Sequence, residues 1–232
     1  FVSGRDFAVD RVNYALGRTS SGGVGGGGSG RQPGSAFKPF VLAQALASGI
    51  TPDATYSGGP HDVSEACHSP DTVLENYEGA GYGTINLRTA TWKSVNTVFT
   101  RLILDVGVDK TMALAQSMGL TSVRDYDPKI HCASVALGAE SVSPLDMASA
   151  YGVFAARGMR AEPTPVLRVT DKDGNVIIDN TRPTTTRALP RDVADNVTEI
   201  LRGVLTSGTA GGRGIERPAA GKTGTTQNNR DA

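Results

Sequence analysis

No apolar run in this 232-residue chain approaches the ~18 residues that a bilayer-spanning helix requires. Charge of one sign is also lacking. Lys+Arg and Asp+Glu both number 23, a formal net charge of +0. That excludes the basic excess by which nucleic-acid-binding domains hold phosphates. Cysteine is scarce, with Cys67 and Cys132 alone, and their spacing fits no C-x₂-C metal site. They are either buried free thiols or a disulfide that needs an oxidising compartment. Their polar, loop-like surroundings ("EACHSP", "KIHCAS") favour the bridge. Histidine is limited to His61, His68 and His131, and no sequence feature ties any of them to a serine, so a Ser–His–Asp triad lacks support. The chain has no signal peptide, no starting Met and no internal repeat. Its abrupt ends, "FVSGRDF" and "NNRDA", predict a segment of a longer polypeptide.

What is present reads as soluble and globular, with 38% hydrophobic and 20% charged residues. The length suits one large domain or two small ones. Residues 19–30, "TSSGGVGGGGSG", predict a flexible loop. A phosphate-cradling glycine loop would need a following G-K-[ST], which is missing. From Ala36 to Leu46 the pattern is helical, with Gly49 as a stop. Residues 51–84 are rich in Gly, Pro, Asp and Ser and predict a long irregular segment. "INLRTATWKSVNTVFTRLILDVG" predicts one helix closed by Gly107, and "VDKTMALAQSMGL" another. "SPLDMASAYGVFAARG" predicts a third, with Ser143 as cap, Pro144 in the first turn and Gly158 as terminator. Two β-rich runs around "DKDGN" predict a hairpin, and "LPRDVADNVTEILRGVLTSG" a further helix. "PAAGKTGTT" predicts a closing strand. The fold class is therefore α+β, with a sheet drawn from segments far apart in sequence.

Three short motifs carry chemistry. In "QPGSAFKPF", Ser35 and Lys38 are three residues apart, so one helical turn brings them to one face. Serine is a weak nucleophile until a base removes its proton. A lysine can be that base if burial or nearby positive charge lowers its pKa. In "KSVNT", Ser94 and Asn96 offer a hydroxyl to pass a proton and a carboxamide to grip an amide. In "GKTGTT", Lys222 with Thr223 and Thr225 forms a carboxylate receptor, and Gly224 permits close approach of another chain. Each alone has a plainer reading: a capped helix with a surface lysine, ordinary polar residues, an edge strand guarded by a lysine. Together, in the order S-x-x-K, S-x-N, K-T-G, they are far more specific.

That ordered set resembles the signature of serine β-lactamases and penicillin-binding proteins. "RQPGSAFKPF", "NLRTATWKSVNTVF", "VALGAESVSPLDMASAYGVFAARG" and "AGKTGTT" are similar, in order, to segments of the transpeptidase domain of class A (bifunctional) penicillin-binding proteins. The glycine-rich loop and the cysteine pair look actinobacterial in style. The resemblance implies a penicillin-binding transpeptidase fold, its sheet antiparallel and flanked by helices, with a mostly helical subdomain. It implies that residues 1–232 are one such domain, incomplete at both ends, lacking C-terminal strands and a preceding glycosyltransferase domain. It implies Ser35 as acyl-enzyme nucleophile, Lys38 as base, Ser94 as proton relay and Lys222 as electrostatic tuner. Asn96 would bind the substrate's amide, and Thr223 and Thr225, with Gly224 between them, its terminal carboxylate. The backbone N–H groups of Ser35 and Thr225 would form an oxyanion hole, an effect worth roughly 3 kcal/mol per donor.

The implied activity is D,D-transpeptidation of peptidoglycan stem peptides ending in D-Ala-D-Ala, with β-lactams as substrate mimics. No metal or organic cofactor and no nucleic acid is implied. The implied location is the extracytoplasmic face of a bacterial membrane, with anchoring only through an N-terminal part of the parent chain. Three other readings share the constellation: a D,D-carboxypeptidase, a serine β-lactamase, and a non-catalytic β-lactam or peptidoglycan sensor. A β-lactamase needs a deacylating base such as Glu140 or Glu162, but "LGAESVSPLDMA" around Glu140 resembles the transpeptidase segment.

Overall fold

A helix that is apolar almost all round and an amphipathic one packed on it form the middle of the molecule. In the computed structural model, α1 (Lys38–Ala47) buries Phe40, Val41, Leu42, Ala43 and Ala45. The structure describes residues 9, 13–16, 30–67, 73–123, 127, 132–212 and 215–226. The predicted glycine-rich loop, Gly30 excepted, and His68 and His131 lie outside them. The helix α1 is entered through a 3₁₀ turn, Gly34–Phe37, and Pro39 occupies its first turn, where no intrahelical N–H bond is required. It packs on a central helix that begins at Asn96, and a helix hydrophobic on every side belongs in the core.

The single helix expected from residue 85 to Gly107 is two. After three short strands, β1 (Thr55–Ser57), β2 (His61–Asp62) and β3 (Val73–Leu74), comes β4 (Thr84–Asn86), which leads into α2 (Leu87–Trp92). The chain breaks at Lys93–Val95 and resumes as α3 (Asn96–Val106). Apolar periodicity runs through the break because both pieces bury their apolar side in the same core. Ser94 stands in the break with φ +57°, a left-handed conformation that costs a non-glycine residue about 1 kcal/mol.

The remaining helices follow their sequence signals. They are α4 (Val108–Ser117), α5 (Pro144–Ala155) and α6 (Arg191–Thr206). Ser143 caps α5 by accepting from Asp146 N. The helix ends at Ala155, and both Arg157 (φ 55°) and the expected terminator Gly158 (φ 88°) take left-handed conformations behind it. Along α6, Val193, Ala194, Val197, Ile200, Leu201 and Val204 are buried at helical spacing against α1, α2 and α5.

Strands β5 (Met159–Ala161), β6 (Arg168–Thr170), β7 (Val176–Asp179) and β8 (Thr185–Arg187) complete a mixed α+β architecture. Among the described residues the strands form four two-stranded antiparallel pairs rather than one sheet: β1–β4, β2–β3, β5–β8 and β6–β7. Strands this short offer too few ladder bonds to build a wider one. The expected β6–β7 hairpin is closed by Asp171, which accepts from the N–H groups of Asp173 and Asn175. The "KTGTT" segment has no strand pairing among the described residues. Cys67 and Cys132 are disulfide-bonded, Cα–Cα 5.7 Å, and fix the chain just ahead of the 3₁₀ turn Ala133–Leu137. No helix among the described residues is long and apolar enough to cross a membrane.

Candidate active site

Three chain segments converge where side chains are missing. Gly34 (φ +55°) brings the Ser35 turn against residue 225, so that a Cβ there would lie 2.6 Å from Thr225 O. Gly138 (φ +71°) lies so close to the Gly34 backbone that any Cβ would overlap it, and Gly34 N donates to Gly138 O at 3.3 Å. A Cβ on Gly224 would lie 2.8 Å from Pro33 O. The three glycines let the backbone of the Ser35 turn, the 137–139 turn and the 222–226 segment close on one another.

The convergence forms one end of a groove of about 1000 Å³. Ser35, Ser94, Asn96, Thr223, Gly224 and Thr225 all line it. Asn76, Tyr77, Glu78 and Tyr82 line it from the segment that composition marks only as irregular. The structure therefore brings the three motifs together, although up to 190 residues separate their ends.

Lys38 lies beneath the groove and is fully buried. Its Nζ is 2.7 Å from Ser94 O, 2.7 Å from Asn96 Oδ1 and 3.2 Å from Ser94 Oγ. The one-turn spacing to Ser35 predicted a direct contact, but the amine's hydrogen bonds all run to the 94–96 turn. A buried amine needs strong acceptors, and two carbonyl-type oxygens at 2.7 Å supply them. Burial, and then the charge of Lys222, push the Lys38 pKa well below its ordinary value. Nζ has three polar partners in reach, the two carbonyl-type oxygens and the Ser94 hydroxyl. Nζ also stands over the Phe99 ring, 5.5 Å from its centroid.

Lys222 reaches the same hydroxyl from the other side. Its Nζ donates to Ser94 Oγ at 2.8 Å, to Thr223 O at 3.0 Å and to Thr223 Oγ1 at 3.4 Å. Burial lowers its pKa to about 8, so the ammonium predominates at neutral pH. Ser94 Oγ thus lies within hydrogen-bond reach of both amines, and the line Lys222–Ser94–Lys38 can carry a proton.

Two further residues hold the walls. Asn76 Oδ1 accepts from Thr97 N (3.1 Å) and Thr97 Oγ1 (3.3 Å), and its Nδ2 donates to Gly58 O (2.8 Å) and Ala80 O (3.0 Å). Asn96 Nδ2 reaches Glu75 O at 3.4 Å. Thr209, just after α6, lies with Oγ1 2.6 Å from Thr223 Oγ1. Neither Asn76 nor Thr209 stood out in the sequence. "ENY" and "SGT" carry no spacing that names a partner, and an acceptor-rich bend in a polar segment was the only signal. Glu162 accepts from Arg160 Nη2 at 2.6 Å, and neither it nor Glu140 lines the groove. His61 is engaged elsewhere, 3.1 Å from Thr100 Oγ1. Among the described residues no group of three or more His, Cys, Asp or Glu could hold a metal ion.

Comparison with known proteins places this geometry. Residues 29–232 match the family model described as penicillin binding protein transpeptidase domain. Penicillin-binding protein 1A of Aquifex aeolicus is 32% identical over 232 residues, covering 100% of this chain and 30% of the relative. Penicillin-binding protein 1A of Neisseria meningitidis serogroup A is 32% identical over 211 residues, 87% of this chain and 26% of the relative. The chain thus spans under a third of the length of these curated relatives. Among solved structures, PonA1 of Mycobacterium tuberculosis in complex with penicillin V superposes with a TM-score of 0.74 at 31% identity, covering 86% of this chain and 54% of that one. The imipenem acyl-enzyme complex of penicillin-binding protein A from the same organism gives 0.77 at 26% identity, covering 93% and 51%. The chain belongs to the penicillin-binding protein transpeptidase domain family.

Proposed function

We propose that this chain is a D,D-transpeptidase domain that cross-links peptidoglycan stem peptides through an acyl-enzyme on Ser35. The observation that carries the reading is the single hydroxyl of Ser94 held between two lysines beside the groove that Ser35 lines. Neutral Lys38 takes the Ser35 proton, a contact that forms as the donor peptide enters. Ser35 Oγ bonds to the penultimate D-Ala carbonyl carbon, and the C–N bond to the terminal D-Ala breaks. The proton passes from Lys38 through Ser94 Oγ to the departing amine. An amine of a neighbouring peptide then attacks the ester, its proton returns to Ser35 Oγ, and the cross-link is formed. Thr223 and Thr225 hold the terminal carboxylate, Asn96 the peptide amide, and the N–H groups of Ser35 and Thr225 the oxyanion.

A solved relative binds penicillin V and another carries an imipenem acyl-enzyme, which supports Ser35 as a β-lactam target here. The domain would work on the extracytoplasmic face of a bacterial membrane, where its peptide substrate lies. Labelling with a fluorescent penicillin tests the reading. The chain should take covalent label and Ser35→Ala none, whereas equal labelling of both would assign the nucleophile elsewhere. Release of the acyl group by a D-amino acid amine in preference to water separates transpeptidation from carboxypeptidase or β-lactamase turnover.

A further inference from the structure

The third motif is held by a residue outside it. Among the described residues the 222–226 segment has no strand partner, yet Thr223 must keep its hydroxyl at a fixed place in the groove. Thr209 supplies a short contact, Oγ1 to Oγ1 at 2.6 Å. Thr209 is itself fixed, because its N–H donates to Trp92 O at 3.0 Å. Gly208 permits that approach, since a Cβ there would lie 2.5 Å from Trp92 O and 2.8 Å from Val204 Cα. Trp92 in turn is anchored on α6, its Nε1 donating to Ile200 O at 2.9 Å. Trp92 ends α2, two residues before Ser94. One chain of contacts therefore joins the second motif to the third through Thr209.

The proton count gives this contact a consequence. Two hydroxyls carry two protons, and their mutual bond consumes one. Lys222 Nζ already donates toward Thr223 Oγ1 at 3.4 Å, so that oxygen is supplied as an acceptor. When Thr209 donates to Thr223, the Thr223 proton is released to point into the groove. Thr209 also lines the groove, so if the bond runs the other way its own proton is the one presented. Either way the pair offers one hydroxyl proton to an anion with the Lys222 charge behind it.

We propose that Thr209 is a positioning residue that orients the Thr209–Thr223 hydroxyl pair so that its one free proton points into the groove, and that the receptor for the substrate's terminal carboxylate is this pair together with Thr225 rather than Thr223 and Thr225 alone. The inference rests on the acyl-transfer reading of Ser35 given above. Thr209→Val removes the hydroxyl while keeping the shape, and Thr209→Ser restores it.

The test measures the second-order rate of Ser35 acylation by mass spectrometry, using two probes. One is an N-acylglycyl thioester of a 2-mercapto acid with its free carboxylate, and the other is the same compound as its methyl ester. The ratio of the two rates within one variant does not depend on how much of it is folded. Thr209→Val should lower the carboxylate-to-ester ratio about tenfold, because the remaining Thr223 hydroxyl loses the partner that holds its proton toward the groove, and Thr209→Ser should restore it to within about twofold of the unsubstituted chain. An unchanged ratio in Thr209→Val, with the unsubstituted chain acylated normally, overturns the role of Thr209 and leaves Ser35 in place. A ratio that Thr209→Ser fails to restore also overturns it, since the cause is then packing. Absence of acylation by either probe in the unsubstituted chain overturns the Ser35 reading, and this inference with it.

Discussion

Lys222 Nζ and Ser94 Oγ are 2.8 Å apart although 128 residues separate them in the chain. This contact joins the last motif to the middle one, and it places a cation against the hydroxyl that also faces Lys38. In the proposed mechanism the two lysines have opposite tasks. Lys38 must lose its proton to act as a base, and Lys222 must keep its own to hold Ser94 and the carboxylate. Burial lowers both pKa values, but the charge of Lys222 lowers Lys38 further. The site separates two like groups by letting one stay charged at the other's cost.

A bell-shaped pH profile of acylation follows. Below the depressed Lys38 pKa the base is protonated and the rate falls with falling pH. Above about 8 Lys222 loses its proton and the rate falls with rising pH. Lys222→Arg keeps the charge at any accessible pH, so the alkaline limb should disappear while the geometry weakens the maximum. Lys222→Met removes the charge that depresses Lys38, so its acid limb should move to higher pH. Stopped-flow acylation by a chromogenic β-lactam across pH 5–10 reads both limbs. An alkaline limb unmoved in Lys222→Arg would assign it to another group.

Helices α1, α4, α5 and α6 were legible in the sequence because their apolar spacing and end signals agree. Ser143 and Asp146 are an example, a serine cap ahead of Pro144 that the structure reproduces. The α2–α3 break was not legible, since Leu87, Ala90, Val95 and Val98 keep one apolar phase across it. Only the backbone shows that Ser94 is left-handed and stands half-buried between two helix ends. The motif residues were legible as a set. Their contacts were not, because spacing along a chain says nothing of acceptors brought by another segment. Lys38 turned to Ser94 and Asn96 for that reason, and Thr209 and Asn76 gave no local signal.

The glycine contact behind the nucleophile sets a steric prediction. Gly138→Ala places a Cβ into the Gly34 backbone and holds a side chain at φ +71°. The conformational part alone costs about 1–2 kcal/mol, and the overlap with rigid backbone adds to it. Penicillin labelling should fall more than tenfold, because relieving the overlap moves Ser35. Gly152→Ala, within α5, meets nothing within 4 Å and serves as the control, with labelling unchanged and the unfolding midpoint equal or slightly raised, since alanine is the better helix former.

The disulfide holds the turn that supports Ser35 from behind. Cys67 and Cys132 are 65 residues apart in sequence, and closing a loop of that length restricts the unfolded chain by about 4 kcal/mol in the entropic account. Reduction should lower the unfolding midpoint by about 8–16 °C for a domain of this size. Mass spectrometry without reductant should find no free thiol. A midpoint that is equal with and without reductant would show that the bridge contributes nothing to the folded turn.

Asn76 gives the last prediction, and its sign depends on which atoms it uses. Its Oδ1 accepts two hydrogen bonds from Thr97, and its Nδ2 donates to the carbonyls of Gly58 and Ala80. Asn76→Ala loses all four and leaves two carbonyls and the Thr97 N–H to find water, at about 2 kcal/mol. Asn76→Asp keeps the acceptor toward Thr97, where a carboxylate at the N-terminus of α3 is favoured by the helix dipole. Its second oxygen, however, faces two carbonyl oxygens with no proton to offer either. The repulsion is in a partly buried site and involves two carbonyls, against a dipole term of at most about 2 kcal/mol. Asn76→Asp should therefore be at least as destabilising as Asn76→Ala at pH 7. It should recover as pH falls toward the carboxylate range, since a protonated Asp regains one donor. Urea unfolding of both variants at pH 7 and pH 4.5 decides it. If Asn76→Asp is the more stable variant at pH 7, the contacts to Thr97 and the dipole outweigh those to Gly58 and Ala80, and the loop over Asn96 is held from the helix side alone.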